Sequence, residues 1–122
     1  MENKIRKKIA IDFDGVIHSY TSKWISPAII SDPPTVGAFN FIEKILEDYD
    51  VVIFSTRATA NGRLAIKKWL SKYGMSKSLI SKIEITNIKP HAVIYLDDRA
   101  WQFNGAFPSV EEINVFKPCN KQ

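Results

Sequence analysis

The stretch Ile9-Ala10-Ile11-Asp12-Phe13-Asp14-Gly15-Val16 constrains the fold more than any other part of the chain. It is an apolar run with the composition of a buried strand, and it ends in two carboxylates separated by one residue. Along an extended strand residues i and i+2 point the same way, so Asp12 and Asp14 leave the strand end on one side while Phe13 turns into packing. Two carboxylates side by side repel each other. The pairing becomes favourable with a divalent cation between them, because oxygen ligands suit Mg²⁺ and its charge offsets theirs. Gly15 lets the backbone turn sharply and approach a ligand closely. Taken alone, Asp-x-Asp-Gly is equally a polar strand exit. A helix-loop-helix calcium site does not fit, since its glycine belongs at the sixth loop position, whereas Gly15 comes too early and Ile17 sits where the third ligand should be.

Other apolar runs repeat the pattern. Lys8 to Phe13 reads as the first strand. Val51-Val52-Ile53-Phe54 is a continuous apolar run of the kind buried on both faces in a parallel sheet, and it ends in Ser55-Thr56-Arg57. Ile83 to Thr86 reads as a third strand, and Ala92 to Leu96 as a fourth that ends in Asp97-Asp98-Arg99. Ile113 to Phe116 reads as a weak final strand. Val36, Phe39, Ile42, Ile45, Leu46 and Tyr49 recur at helical spacing. So do Leu64, Ile66, Trp69, Leu70 and Tyr73, which form the buried side of a second helix from about Asn61 to Tyr73 that Gly74 stops. Residues 16–35 lack periodicity and carry Asp32-Pro33-Pro34, so they read as a long flap-like loop or a short hairpin; loops of that length in compact domains are usually functional.

Strands alternating with helices predict a three-layer, Rossmann-like α/β domain with a central, mainly parallel sheet, helices on both faces and no large cap domain. Ligands of such sheets bind outside the carboxyl ends of the strands. Asp12/Asp14, Ser55/Arg57 and Asp97/Asp98 all fall at that edge.

The 122 residues, 45% of them hydrophobic, predict one domain over 1–122 with a single core. The apolar segment after the charged N-terminus runs only from Ile9 to Ile11, too short for a secretory signal, and no run approaches a membrane span. The expected location is therefore the cytoplasm, without membrane contact, and the lone Cys119 agrees with a reducing compartment. A net charge of +4 favours an acidic partner such as a nucleotide or nucleic acid. Lys4, Arg6, Lys7 and Lys8 supply much of that excess, however, and a basic tail over 1–7 is more often simply solvated.

Taken in order, Asp12-Phe13-Asp14-Gly15-Val16, Ser55 closing one apolar strand, Lys89-Pro90, and Asp97-Asp98 closing another resemble the four motifs of the haloacid dehalogenase-like (HAD) superfamily of phosphohydrolases. The resemblance spans Ile9 to about Arg99 and is more specific in combination than in any one piece. The segments Ser19–Trp24, Asp32–Ala38 and Phe116–Lys121 are further similar to a group of small phage-encoded members.

The resemblance implies that Asp12 is a nucleophile that forms an aspartyl-phosphate, dividing one difficult displacement into two easier ones. Asp14 would donate a proton to the leaving oxygen and later take one from water. Mg²⁺ would be held by Asp12, the backbone carbonyl of Asp14 and a carboxylate of the Asp97/Asp98 pair, with Asp98 the direct ligand by family pattern. Ser55, through its hydroxyl and backbone N–H, would bind the phosphoryl group, and Lys89 would set a positive charge against it. Gly15, Thr56, Arg57 and Arg99 are candidate substrate contacts.

Each residue also has a plainer reading. Ser55 could cap the following helix, Lys89 could be a surface lysine at a turn, and Asp97-Asp98 could be a solvated strand exit. His18 and His91 lack metal spacing and are explained by loop polarity, and Trp24 and Trp101 by packing, although Trp24 in the loop could also stack on a nucleobase. Three functions are carried forward. The first is a Mg²⁺-dependent phosphomonoesterase acting on a nucleotide or a nucleic-acid terminal phosphate, the second the same chemistry on a sugar phosphate or phosphoprotein, and the third a non-catalytic phosphate-binding module. No Gly-x-x-x-x-Gly-Lys-Ser/Thr loop occurs, which argues against a kinase.

Overall fold

The computed structural model describes residues 5–118; the start of the basic tail through Lys4, and Cys119 with the residues after it, lie outside them. Four strands, β1 (Lys8–Asp12), β2 (Asp50–Phe54), β3 (Ile83–Thr86) and β4 (Ile94–Leu96), form one sheet in the order β3-β2-β1-β4, and every neighbouring pair is parallel. Helices α1 (Ala38–Ile45), α2 (Ala60–Lys72) and α3 (Lys77–Ser81) fall between the strands, and α4 (Val110–Val115) follows them. This is a small Rossmann-like α/β architecture without a large cap, as the alternation of apolar runs implies. No helix among the described residues is long and apolar enough to cross a membrane.

Register explains where the core lies. Ile9 and Ile11 face Val51 and Ile53, which face Ile83 and Ile85, so these side chains share one side of the sheet. They join Ile42 of α1, Ile66, Trp69 and Leu70 of α2, and Ile80 of α3 in a single buried cluster, so α1, α2 and α3 bury their side chains on this one side, where the sequence reading expects helices on both faces. Ala10 and Val52 point to the opposite side, where the Lys8–Glu84 ion pair and an open cleft beside Tyr95 lie. The chain runs outward from β1 to β3, then returns to place β4 on the other flank of β1. That reversal opens a crevice between the C-terminal ends of β1 and β4, where parallel sheets bind ligands.

Several boundaries differ from the sequence reading. The first helix begins only after Gly37, which caps it at φ 84°, and Val36 is fully exposed at 100%. The left-handed turn cuts Val36 away from the apolar stripe, and Tyr49 lies past the helix end. Leu64, expected on the buried side of α2, is 58% exposed; Ile66, Trp69 and Leu70 do face the core. Gly74, at φ 102°, ends that helix as expected. Ile113 to Phe116 is not a strand. Ser109 starts α4 through a capping box in which its hydroxyl accepts from the Glu112 N–H and the Glu112 carboxylate accepts from the Ser109 N–H.

The 16–35 segment is an irregular loop drawn closed at its neck. Thr35 N–H donates to the Ile17 carbonyl, Ser19 N–H to the Pro33 carbonyl, and both the Ser22 N–H and hydroxyl to Asp32. Trp69 of α2 fastens it to the core: its indole Nε1–H donates to the Asp32 carbonyl at 2.9 Å, and its ring packs edge-on against Phe13 and His18.

Candidate active site

Asp12 is the last residue of β1, and Asp97 and Asp98 follow the last residue of β4. The parallel pairing of these strands brings their ends together, and one oxygen from each of Asp12, Asp97 and Asp98 lies within 4.8 Å of the others. Gly15 makes the approach possible: a Cβ there would stand 2.4 Å from Asp98 Oδ2, and its φ of 88° is one that side chains rarely adopt. Asp98 is buried, and its Oδ1 has no hydrogen-bond partner. A buried carboxylate oxygen left bare beside two other carboxylates is costly, and a hard divalent cation is the group whose charge and oxygen preference relieve it. The donor set therefore fits Mg²⁺ chemistry, with Asp97, the more exposed of the pair, on the outer side.

The same crowding acts on Asp12. Burial, then the charges of Asp97 and Asp98 and a hydrogen bond with Asp98, push its carboxyl up to about 7, against a single opposing bond from the Phe13 N–H.

Asp14 is drawn into a different network. His18 Nε2 accepts from the Asp32 N–H at 3.1 Å, so the ring proton resides on Nδ1 and is donated to Asp14 Oδ1 at 2.7 Å. Arg57 donates to the same carboxylate through Nη2 at 2.9 Å and Nε at 3.2 Å. Burial by itself would raise the Asp14 pKa, but these hydrogen bonds and the adjacent positive charge hold it below its ordinary value. The Asp14 side chain is not one of the three carboxylates that converge in the acidic cluster.

Arg57, 1% exposed, is the centre of that network. Its Nη1 donates to the carbonyls of Ser26, Pro27 and Ile29 at 2.9, 3.1 and 2.8 Å, and its guanidinium lies 4.4 Å from the centre of the Trp24 ring. The fork that sequence reading offered to substrate is thus occupied by Asp14 and the flap.

Ser55 also departs from expectation in one respect. Its N–H is already donated to the Thr86 carbonyl at 3.0 Å, and its Oγ accepts from the Arg57 N–H at 3.1 Å. Only the hydroxyl proton is left to meet a ligand. Helix α2 is capped by Thr59, so Ser55 is not its cap. Asp12, Asp14, Ser55, Thr56, Asp97 and Arg99 line a cleft of about 360 Å³ together with Tyr20, Trp24 and Phe54. Lys89 is exposed, its ammonium 5.1 Å above the Tyr95 ring, and it borders an adjoining cleft that shares Asp12 and Asp97. No ion pair joins it to Asp12 among the described residues.

His18 and Asp32 are the residues that sequence reading undervalued. Loop polarity does not account for His18, which is buried between Phe13 and Trp69 and donates to Asp14. The available signal was its position four residues after Asp14 across a Gly-containing turn. His91 is exposed. The chain matches no protein-family model, no curated protein and no solved structure.

Proposed function

We propose that the chain is a Mg²⁺-dependent phosphomonoesterase of the HAD-like kind, working through an aspartyl-phosphate on Asp12. The observation that supports this best is the convergence of Asp12, Asp97 and Asp98 around Gly15, with a bare, buried Asp98 Oδ1 among them. Asp12, Asp98, Asp97 and the Asp14 backbone carbonyl would hold the cation, which when bound neutralises charge on the phosphoryl oxygens.

Asp12 attacks phosphorus, a new Asp12–phosphorus bond forms, and the bond to the leaving oxygen breaks with the electron pair going to that oxygen. Water then attacks the same phosphorus, releasing inorganic phosphate and restoring the carboxylate. The free hydroxyl proton of Ser55 is directed to a phosphoryl oxygen. Lys89 and Arg99 offset the negative charge of the cleft from its rim. Asp14, kept ionised and in place by His18 and Arg57, is the carboxylate beside the site that takes the proton of the attacking water, although the bonds that lower its pKa also weaken it as a base. The same hydrogen bonds oppose its giving a proton in the first step, so an alkoxide leaving group would take its proton from water in the open cleft.

The test is release of inorganic phosphate from an aryl phosphate, with Mg²⁺ and with chelator, for the wild type beside Asp12→Asn. Release that needs the cation and disappears in the variant is the expected result; release that survives Asp12→Asn would discard the nucleophile assignment.

A further inference from the structure

The chemistry proposed above needs carboxylates, a hydroxyl and a cation; it does not need the aromatic side chains that the flap brings to the same cleft. Trp24 and Tyr20 both line it. The guanidinium of Arg57 covers one face of the Trp24 indole and is itself fixed by Asp14 and three flap carbonyls, while 46% of the residue stays open. An aromatic face immobilised before binding loses little freedom when a ligand stacks on it. Tyr20 is the one non-glycine residue of the described chain with positive φ, 54°, a conformation that glycine or asparagine adopts far more readily. That backbone is kept with the ring packed 5.8 Å from His18 at the edge of the cleft. Apart from the groups that face phosphate, the lining is Thr56 and Arg99 with the aromatic residues Tyr20, Trp24 and Phe54, so the cleft offers a leaving group more ring surface than hydrogen-bond partners.

We infer that Trp24 and Tyr20 form a stacking subsite for a nucleobase carried by the leaving group of the phosphomonoester, so that the substrate class is a nucleotide. The inference rests on the phosphatase reading for its reaction, but not for its binding. Free nucleotides and phosphorylated nucleic-acid ends present the same base and phosphate.

The experiment compares kcat/KM for nucleoside 5′-monophosphates and ribose 5-phosphate, which share a leaving oxygen, in the wild type, Trp24→Leu and Trp24→Phe. The nucleotide is expected to be preferred by roughly tenfold, the scale of one base-stacking contact, with the preference lost in Trp24→Leu and largely kept in Trp24→Phe. Phosphorylated oligonucleotides at low and high salt form a second arm, since binding along a polyanion weakens steeply with ionic strength and binding of a mononucleotide much less. Equal use of ribose 5-phosphate and nucleotide by the wild type overturns the subsite and leaves the phosphatase standing. If no compound is hydrolysed, the phosphatase reading fails, and equilibrium dialysis with nucleoside 5′-monophosphate decides the subsite alone: binding that Trp24→Leu weakens and Trp24→Phe keeps supports it, and no binding overturns it.

Discussion

Replacing Arg57 by methionine keeps most of the apolar stem and removes a guanidinium that makes two hydrogen bonds to Asp14 and three to flap carbonyls. Breaking a buried ion pair by deleting one partner costs about 3–5 kcal/mol, because the other charge is left unpaired. Asp14 retains His18 and keeps 19% of its side-chain surface, and the carbonyls lie on a loop that can rehydrate. The lower end, about 3 kcal/mol, is therefore expected, with loss of the contact to Trp24 inside that figure. With a urea m-value of about 1.5 kcal/mol/M for a domain of this size, the unfolding midpoint falls by about 2 M.

The loss should also depend on pH. Asp14 has a folded pKa below the ordinary 3.8, so its contribution is present above 3.8 and disappears as pH falls through the folded value. The midpoints of wild type and Arg57→Met therefore converge in acid. Tryptic cleavage at Lys23, in the flap, should become faster than global unfolding allows, because the loop has lost its anchor. Two results would refute the reasoning: a midpoint shift below about 0.5 M, or a double mutant with Asp14→Asn whose loss is simply the sum of the two single losses.

Two further perturbations follow from the same geometry. The raised Asp12 pKa, about 7 against 3.8, means that its contribution to stability is full below 3.8 and is lost as pH rises through 7, so the cation-free protein is less stable at pH 8 than at pH 5 through this group. Mg²⁺ favours the ionised carboxylate, and thermal scans should show a larger gain in Tm from Mg²⁺ at pH 8 than at pH 5.5, a gain that Asp98→Asn abolishes. Gly62→Ala places a Cβ 1.6 Å from the Arg57 carbonyl oxygen, which forces α2 away from the strand-end turn; a loss of about 1–3 kcal/mol in urea unfolding is expected, and an unchanged midpoint would show that α2 can shift freely.

Much of the fold was legible because burial leaves a direct mark on strands. The central strands β1 and β2 are buried on both faces, so they appear as apolar runs, and their ends appear as the residues where polarity returns. Helix limits were less legible where a single backbone angle overrides the apolar count, as Gly37 does for Val36. At α4 the apolar residues Ile113, Val115 and Phe116 read as a strand, although none is buried. There the local signal, Ser109 followed three residues later by Glu112, decides the helix, and it was present in the sequence throughout.

The site divides along the same physical line. Asp12, Ser55, Asp97 and Asp98 could be placed from sequence because each closes or follows an apolar strand, although β4 proves largely exposed, and parallel pairing then brings such ends to one edge. Arg57 could not, because its role depends on where residues 26–29 fold back, a long-range contact with no periodicity to announce it. Its position two residues after Ser55 suggested a hand extended to substrate, and burial turned it inward instead. The consequence is a division of labour between the two carboxylates of Asp-x-Asp. Asp12 has only other acids and one N–H for company, which suits a group that bonds to phosphorus and a cation, whereas Asp14 is fixed by a cation of the chain's own making. Because the same arginine that fixes Asp14 also orients Trp24, any movement of the flap must disturb the proton-accepting group and the aromatic wall together.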